Sequence, residues 1–476
     1  MKKKLLGTLC LLVCCLIGFG ARSQALAETP KLESESACVI DASNGEILYQ
    51  KHANRALRPA SITKQMTALL VLEQVEAGNI TLDDKAEVTY SALSPIDPTS
   101  TLVGFEEGEK RSVRDLMYCM LVDSANDAAN VLAEYVGGDL DSFVDRMNAR
   151  ARELGCTHTQ FANPNGLDPD DDSTHRCSAL DMARISYELT KYPDYYTFAG
   201  AKKYALEVDE VVTEPWEIWS KVHMLLPASE FYNKEVIAGK TGWTHLAHHT
   251  FVAYMQRGDR TLVIVVMNSL DAGAKYRDAE KLMDYCCDNY TALTLTAADY
   301  REPVNAAIEQ AGLEVALDTD DLPELPVVLP SDLSTDAIAY SVAMDDDGET
   351  PILTLGIKPE AWDTYKAATH TQGETAVLNR TALPVKKGLL ATAQSSAKSI
   401  SKSVSEPDGT EGLTDILPTR DIRVLGVTVA AALLLLLSIV FFLIRSIRRR
   451  KKKNKKNNLT VVIHTPEKYR GKDDEK

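Results

Sequence analysis

Two short, mainly apolar runs early in the chain have the composition of β-strands. They are residues 37–42 and 46–50. The Asn44-Gly45 pair between them supplies the positive φ values that a tight turn requires. The pattern therefore predicts a β-hairpin.

A helical pattern begins just after Pro59. The apolar residues that share one face of this helix are Ile62, Met66, Leu69 and Leu70. Gly78 is the expected stop, because glycine readily adopts the conformation that ends a helix. This assignment places Ser61 at the helix N-terminus and Lys64 three residues later on the same face.

Two later segments also have assignable patterns. Ser112 and Asp115 have the spacing of a capping box before a helix, and the helix after it ends at Gly137-Gly138. Residues 236–239 predict a short strand. Residues 250–256 and 260–267 predict a hairpin around Arg257-Gly258-Asp259.

Both ends of the chain have the composition of targeting or membrane segments. Residues 1–27 combine three lysines, an apolar run and Ala25-Leu26-Ala27, which predicts a secretory signal cleaved after Ala27. Residues 424–444 contain no charge and are long enough to cross a bilayer. The basic tail, 445–476, is then expected in the cytoplasm, with the bulk of the chain outside.

Composition divides the remaining chain into three parts. Residues 28–290 have the long amphipathic helices and strands of a mixed α/β domain. Residues 291–385 are rich in Val, Thr, Pro and Asp, with short apolar runs at 327–329 and 352–355, and predict a small β domain. Residues 386–420 are too polar to pack and are expected to form a flexible stalk.

Charge and cysteine content restrict the possible partners and bonds. The formal net charge is −16 although both ends are basic, so the middle of the chain is strongly acidic and is expected not to bind nucleic acid. Six of the nine cysteines lie beyond the signal. Free buried thiols and disulfides remain equally open, and Cys156 with Cys177 is one candidate pair.

The candidate chemistry starts at Ser61. A helix N-terminus favours developing negative charge, and Lys64 can reach the serine hydroxyl. A partly desolvated lysine can lose its proton and act as a base. By itself, however, Ser-x-x-Lys is more often a solvated pair than a catalytic one.

Two further motifs add to this signal. Ser124 and Asn126 lie between two helices, where they can present a hydroxyl and an amide to one pocket, although ordinary helix capping explains them equally well. Lys240 and Thr241 can hold a carboxylate, and Gly242 permits close approach of a ligand. The alternative for this segment is a solvent-exposed edge strand.

Together, three segments resemble the motifs of the penicillin-recognising serine enzymes, in particular the low-molecular-mass D-alanyl-D-alanine carboxypeptidases. They are Pro59-Ala60-Ser61-Ile62-Thr63-Lys64, Ser124-Ala125-Asn126-Asp127-Ala128-Ala129 and Lys240-Thr241-Gly242. The similarity extends over roughly residues 36–290 and includes residues 163–167 and 181–183. It implies an α/β fold with an antiparallel five-stranded sheet flanked by helices, and an all-helical subdomain that holds the Ser124 motif.

The resemblance also implies a reaction and a role for each residue. Ser61 would attack the carbonyl between two terminal D-alanines of a peptidoglycan stem peptide, and Lys64 would accept its proton. Ser124 and Lys240 would pass a proton to the leaving amine. Asn126 would orient Lys64 and the substrate. Lys240, Thr241 and Gly242 would form the site for the substrate's terminal carboxylate. The backbone N–H groups of Ser61 and Trp243 would form the oxyanion hole. No metal or organic cofactor is implied, and β-lactam antibiotics would bind covalently.

One position departs from the family pattern. Where the family usually has Gly after an alanine, this chain has His248, which changes the expected shape of the pocket rim. His245, His248 and His249 are expected at the surface or the rim rather than around a metal ion. The alternative functions are a serine β-lactamase and a non-catalytic envelope protein of the same fold.

Overall fold

A computed structural model describes residues 28–384, apart from 170–173, 207–215, 314, 316, 319–320, 346–347, 349 and 371–375. By its contacts the chain separates into units 1–393 and 394–476, and all described residues belong to the first. The predicted signal (1–27), stalk (386–420), membrane span (424–444) and basic tail (445–476) lie outside the described residues. Within the described part, no helix combines the length and apolarity that crossing a bilayer requires.

The described residues form ten α-helices and fourteen strands. The helices are α1 Lys64–Glu76, α2 Tyr90–Leu93, α3 Val113–Val122, α4 Asn126–Gly137, α5 Leu140–Glu153, α6 Ala179–Leu189, α7 Pro193–Ala199, α8 Ala274–Asn289, α9 Ala297–Gln310 and α10 Trp362–Thr369. The strands are β1 Ser36–Asp41, β2 Ile47–Lys51, β3 Lys85–Glu87, β4 Lys110–Ser112, β5 Lys203–Leu206, β6 Trp216–Trp219, β7 Val236–Thr244, β8 His248–Arg257, β9 Arg260–Ser269, β10 Tyr290–Leu295, β11 Leu325–Pro330, β12 Ile338–Met344, β13 Pro351–Ile357 and β14 Val377–Ala382.

A five-stranded antiparallel sheet organises the part of the chain before residue 290. Its strand order is β2-β1-β9-β8-β7, and Val39 pairs with Ile264 across β1 and β9. Successive side chains of the central strands β1, β9 and β8 point to opposite faces of the sheet and enter two different hydrophobic cores. These strands are therefore buried on both faces. The predicted α/β fold, with its five-stranded sheet flanked by helices, is confirmed.

Two cores cover the two faces of this sheet. On one face, Cys38, Val252 and Tyr254 pack with α1 and the helices from α3 to α7. On the other face, Val39 and Phe251 pack with α8. The region between β2 and β7 is mainly helical rather than all-helical, because it also contains the small sheets β3-β4 and β5-β6.

A third core lies in the C-terminal part of the described chain. Leu353, Leu355 and Tyr300 are among its buried members, and the sheets around it are β10-β11 and β12-β13-β14. The apolar runs at 327–329 and 352–355 lie in β11 and β13, where the sequence predicted short strands. The boundary of a separate domain at residue 291 stays a prediction.

The structure contradicts the candidate disulfide between Cys156 and Cys177, because the two thiols are not joined. All six cysteines that it describes carry free thiols, and five of them are buried. Cys156 Sγ donates to the Asp181 carbonyl at 3.5 Å, whereas Cys177 Sγ accepts from Thr159 Oγ1 at 3.3 Å. Burial raises the pKa of the Cys156 thiol to about 12, so it is protonated and packs as a small apolar side chain.

A buried carboxyl group joins the β1-β2 turn to the C-terminal part. Glu46 is 2% exposed and accepts hydrogen bonds from Tyr365 Oη at 3.1 Å and from the Val328 backbone N–H at 3.2 Å. Burial, opposed in part by these hydrogen bonds, raises its pKa from 4.5 to about 8. At neutral pH this contact is therefore made mostly by a protonated, uncharged acid.

The raised pKa of Glu46 predicts a pH-dependent stability. Between pH 4.5 and 8 the folded chain holds a proton that the unfolded chain has released, so the free energy of unfolding falls as pH rises. We expect Glu46→Gln to remove this slope. The free energy of unfolding of the variant minus that of the parent should therefore increase by about 3 kcal/mol from pH 5 to pH 8. Urea unfolding at both pH values measures it. Glu87→Gln on exposed β3 is the control, and equal slopes in parent and Glu46→Gln would contradict the expectation.

Candidate active site

Ser61 lies in a short 3₁₀ turn, Ala60–Thr63, immediately before α1, rather than in the α-helix itself. The preceding residue, Ala60, has φ +50°, a left-handed conformation that costs an L-residue about 1 kcal/mol. Two threonine hydroxyls hold this turn: Thr250 Oγ1 donates to the Pro59 carbonyl and Thr63 Oγ1 to the Ala60 carbonyl, both at 2.8 Å.

Two glycines pack against the peptide bond between Ala60 and Ser61. A Cβ atom on Gly166 would lie 2.1 Å from the Ala60 oxygen, and one on Gly242 would lie 2.8 Å from the Ser61 nitrogen. Both distances are far below a normal contact, so neither position has room for a side chain. The loop at Gly166 and strand β7 therefore enclose the serine from two sides.

Lys64 is fully buried, and its ammonium nitrogen lies 3.0 Å from Ser61 Oγ. It also donates to Asn126 Oδ1 and to the Asn165 carbonyl, each at 2.6 Å. Burial, assisted by the charge of Lys240, holds the pKa of Lys64 well below its usual range. Among the described residues, no carboxylate lies within ion-pair distance of this lysine.

The partners of Lys64 suit its neutral form. Asn126 Oδ1 and the Asn165 carbonyl can only accept hydrogen bonds, so they use the two N–H groups of an uncharged amine. In that form the nitrogen lone pair can accept the proton of the Ser61 hydroxyl across the 3.0 Å between Nζ and Oγ. This is the arrangement of a nucleophile and its general base.

Lys240 is the second buried lysine of the site. Its nitrogen donates to Ser124 Oγ at 2.8 Å and to the Thr241 carbonyl at 2.7 Å. Burial lowers its pKa from 10.5 to about 7, against a smaller opposing effect of Asp123. Ser124 itself has φ +68°, in the left-handed region, so its hydroxyl is directed by a strained turn between α3 and α4.

Asn126 begins α4 and joins Lys64 to the neighbouring loop. Its Nδ2 donates to Ser100 Oγ at 3.0 Å, which orients Oδ1 toward Lys64. The adjacent carboxylate of Asp127 accepts from the backbone of that loop, with 2.7 Å to the Gly104 nitrogen. The loop is therefore fixed by a buried charge at the start of a helix.

A cavity of about 470 Å³ opens in front of these groups. Among its lining residues are Ser61, Ser124, Thr241, Gly242 and Trp243. The structure thus brings together the eight candidate catalytic and substrate-binding residues, because Lys64, Asn126 and Lys240 contact each other or the lining serines.

The three histidines after Trp243 lie at or near the cavity rim. The His245 and Trp243 ring centroids are 4.9 Å apart, and His249 lines the cavity. His248, the departure from the family pattern, has φ +52°, a conformation that glycine adopts at no steric cost. Its ring turns away to contact the side chain of Asn268.

Three contributors to the site were not singled out from the sequence. They are the Asn165 carbonyl, the Ser100 hydroxyl and His175, whose Nε2 lies 2.9 Å from Thr63 Oγ1. The resemblance included the segment 163–167 but assigned it no role. A backbone carbonyl has no residue signature, so only the fold reveals its part.

The low pKa of Lys240 predicts a stability gain when the lysine is removed. Between pH 7 and 10.5 the unfolded chain holds a proton that folded Lys240 lacks, so this group destabilises the fold increasingly as pH falls toward 7. We expect Lys240→Met to raise the free energy of unfolding at pH 7 by about 2 kcal/mol, with the gain shrinking toward pH 10.

Urea unfolding of parent and variant at pH 7 and pH 10 measures this difference. The control is Lys234→Met, which removes an exposed lysine shortly before the same strand. A difference between Lys240→Met and parent that stays constant with pH would contradict the expectation.

Comparison with known proteins agrees with this geometry. The family model for D-alanyl-D-alanine carboxypeptidase matches residues 23–271, more than half of the chain. D-alanyl-D-alanine carboxypeptidase DacF of Bacillus subtilis is 31% identical over 57% of this chain and 65% of its own length. DacC of Escherichia coli is 29% identical over 55% of this chain and 63% of its own length. The chain therefore covers just under two thirds of these relatives.

A solved structure extends the similarity to the fold. Penicillin binding protein 6B from Escherichia coli has 26% sequence identity and a TM-score of 0.53. The match covers 69% of this chain and 93% of that one. The Ser61–Lys64 contact, the turn at Ser124 and the strand that carries Lys240 surround one cavity, in agreement with these matches. The chain belongs to the D-alanyl-D-alanine carboxypeptidase family.

Proposed function

We propose that this protein is a serine-type D-Ala-D-Ala carboxypeptidase, which removes the terminal D-alanine from peptidoglycan stem peptides through a Ser61 acyl-enzyme. The observation that carries the proposal is the 3.0 Å contact between Ser61 Oγ and a buried Lys64 whose pKa is lowered. Family membership supports the reaction class.

In the first step Ser61 Oγ attacks the carbonyl carbon between the two terminal D-alanines, and its proton passes to Lys64 Nζ. The Ser61 backbone N–H makes no hydrogen bond among the described residues, so it is free to bind the oxyanion together with the N–H of Trp243. Charge develops on that oxygen only in the transition state, where such donors contribute most.

In the second step the C–N bond breaks, and the leaving amine of D-alanine receives a proton through Ser124 Oγ and Lys240. The 2.8 Å hydrogen bond between these two groups is the path for that proton. Lys240 and Thr241 bind the substrate's terminal carboxylate, and Gly242 leaves room for the substrate to approach the strand. Asn126 orients Lys64 and the substrate amide. Water then hydrolyses the ester on Ser61.

The same serine would open a β-lactam ring and retain the product as a stable acyl-enzyme. A serine β-lactamase is the alternative enzyme, but it needs a deacylating glutamate, and residues 127–239 contain no Glu-x-x-x-Asn element. A non-catalytic envelope protein of the same fold is a further alternative, which the intact set of reactive residues argues against.

We also propose that the protein is secreted and held at the cell membrane by one C-terminal helix, with its catalytic part outside. The uncharged segment 424–444, followed by nine basic residues up to Lys456, supports this location. A stalk of 35 residues would span roughly 30 to 35 Å as a flexible coil. The site would then be tethered near the membrane and free to meet wall peptides.

The nucleophile assignment is tested with Ser61→Ala. We expect it to abolish both labelling by a fluorescent penicillin and D-alanine release, while Ser94→Ala, an exposed serine, changes neither. Lys64→Ala should slow acylation by about 10² to 10⁴. Stable label on the parent indicates a carboxypeptidase, rapid loss of label a β-lactamase, and absence of label a non-catalytic protein.

The anchor assignment is tested with a chain that ends at Arg420. We expect it to be soluble and to hydrolyse small D-Ala-D-Ala peptides at close to the full-length rate, because every proposed site residue precedes His245. The full chain should resist extraction by high salt and alkaline carbonate, since a spanning helix is not held by charge. Release of the intact protein by those washes would indicate an interfacial helix instead.

A further inference from the structure

The peptide bond that precedes Ser61 is held by a chain of hydrogen bonds behind the site. Thr63 Oγ1 donates to the Ala60 carbonyl at 2.8 Å, and the same oxygen lies 2.9 Å from His175 Nε2. On the other side of the ring, the Ala162 backbone N–H donates to His175 Nδ1 at 2.9 Å. Both Thr63 and His175 are fully buried.

These partners determine which nitrogen of His175 carries the proton. A backbone N–H can only donate, so His175 Nδ1 must be the acceptor. Burial lowers the pKa of the ring to about 4, so it is neutral and carries its one proton on Nε2. His175 therefore donates to Thr63, and Thr63 donates to the Ala60 carbonyl, so all hydrogen bonds in this series have the same donor-to-acceptor direction.

The orientation of one carbonyl fixes the orientation of the next N–H. In a trans peptide the C=O of Ala60 and the N–H of Ser61 point in opposite directions in one plane. Holding the Ala60 oxygen toward Thr63 therefore aims the Ser61 N–H away from it. That N–H has no partner in the described part of the chain, and Ser61 lines the cavity.

We propose that His175 and Thr63 are positioning residues, which set the plane of the Ala60–Ser61 peptide and so aim the Ser61 N–H at the substrate's oxyanion. The proposal rests on the proposed carboxypeptidase function. It explains why Ala60 keeps φ +50° although alanine disfavours it: the Ala60 oxygen is bonded on one side by Thr63 and packed on the other by Gly166.

Two matched pairs of variants test the hydrogen-bond chain. His175→Gln can place an amide N–H where Nε2 lies, whereas His175→Asn reaches only the Nδ1 position and leaves Thr63 without its donor. Thr63→Ser keeps the hydroxyl, and Thr63→Val removes it at nearly constant shape. In each pair only one member preserves the complete series of hydrogen bonds from His175 through Thr63 to the Ala60 carbonyl.

The measurement separates the affinity for penicillin before reaction from the rate constant of acylation. We expect His175→Asn and Thr63→Val to lower the rate constant about 10- to 100-fold with unchanged affinity, because an oxyanion donor acts in the transition state. His175→Gln and Thr63→Ser should stay near the parent. With a D-Ala-D-Ala peptide, the same split should appear in kcat against KM.

The possible results distinguish a failure of the positioning role from a failure of the proposed function. Parent-like acylation by Thr63→Val, or equal losses within both pairs, would overturn the positioning role while leaving the proposed function intact. A parent that takes up no penicillin label and releases no D-alanine would overturn the proposed function and this inference with it. Thermal unfolding confirms that each variant is folded, and if His175→Asn fails to fold, the Thr63 pair alone decides.

Discussion

The site depends on two buried lysines that have no carboxylate at ion-pair distance in the part of the chain that the structure describes. Lys64 and Lys240 are each buried, and the charge of Lys240 further lowers the pKa of Lys64. A lysine side chain loses most of its hydration there, so oxygen atoms of the protein must take the place of water as its hydrogen-bond partners. Those oxygens come from α4, from the loop at Asn165 and from β7 itself.

The backbone of the site is strained at two positions. Ala60 and Ser124 both adopt left-handed conformations, each disfavoured by about 1 to 2 kcal/mol for residues with a Cβ. Such conformations persist only where the surroundings determine them. At Ala60 the surroundings are two threonine hydroxyls and two glycines in tight contact, so the turn that carries Ser61 is set before a substrate arrives.

The sequence was informative wherever function depends on residue type at fixed spacing. The hairpin at Asn44-Gly45, the capping serine at 112 and the pairing of Ser61 with Lys64 all follow from local rules, and the structure has them. Ser61 lies at the start of the helical segment as predicted, but in a 3₁₀ turn that precedes α1 and is held by tertiary contacts.

What the sequence did not yield depends on residues that are far apart in the chain. The Asn165 carbonyl lies 101 positions from Lys64, and His175 lies 112 positions from Thr63. No periodicity links such pairs. The same reason explains the error at Cys156 and Cys177, since spacing along the chain says nothing about whether two thiols meet or find other hydrogen-bond partners.

The pairing of β1 with β9 has a consequence for the order of folding. The strand that is synthesised first, Ser36–Asp41, lies inside the sheet and needs Arg260–Ser269 as its second neighbour. A chain that emerges from its N-terminus cannot close this sheet until more than 200 further residues have appeared. Non-local pairing of this kind is slow, because the entropy of closing a long loop is lost before the strand contacts stabilise the structure. The central sheet therefore cannot be completed until most of the residues that precede β10 have been synthesised.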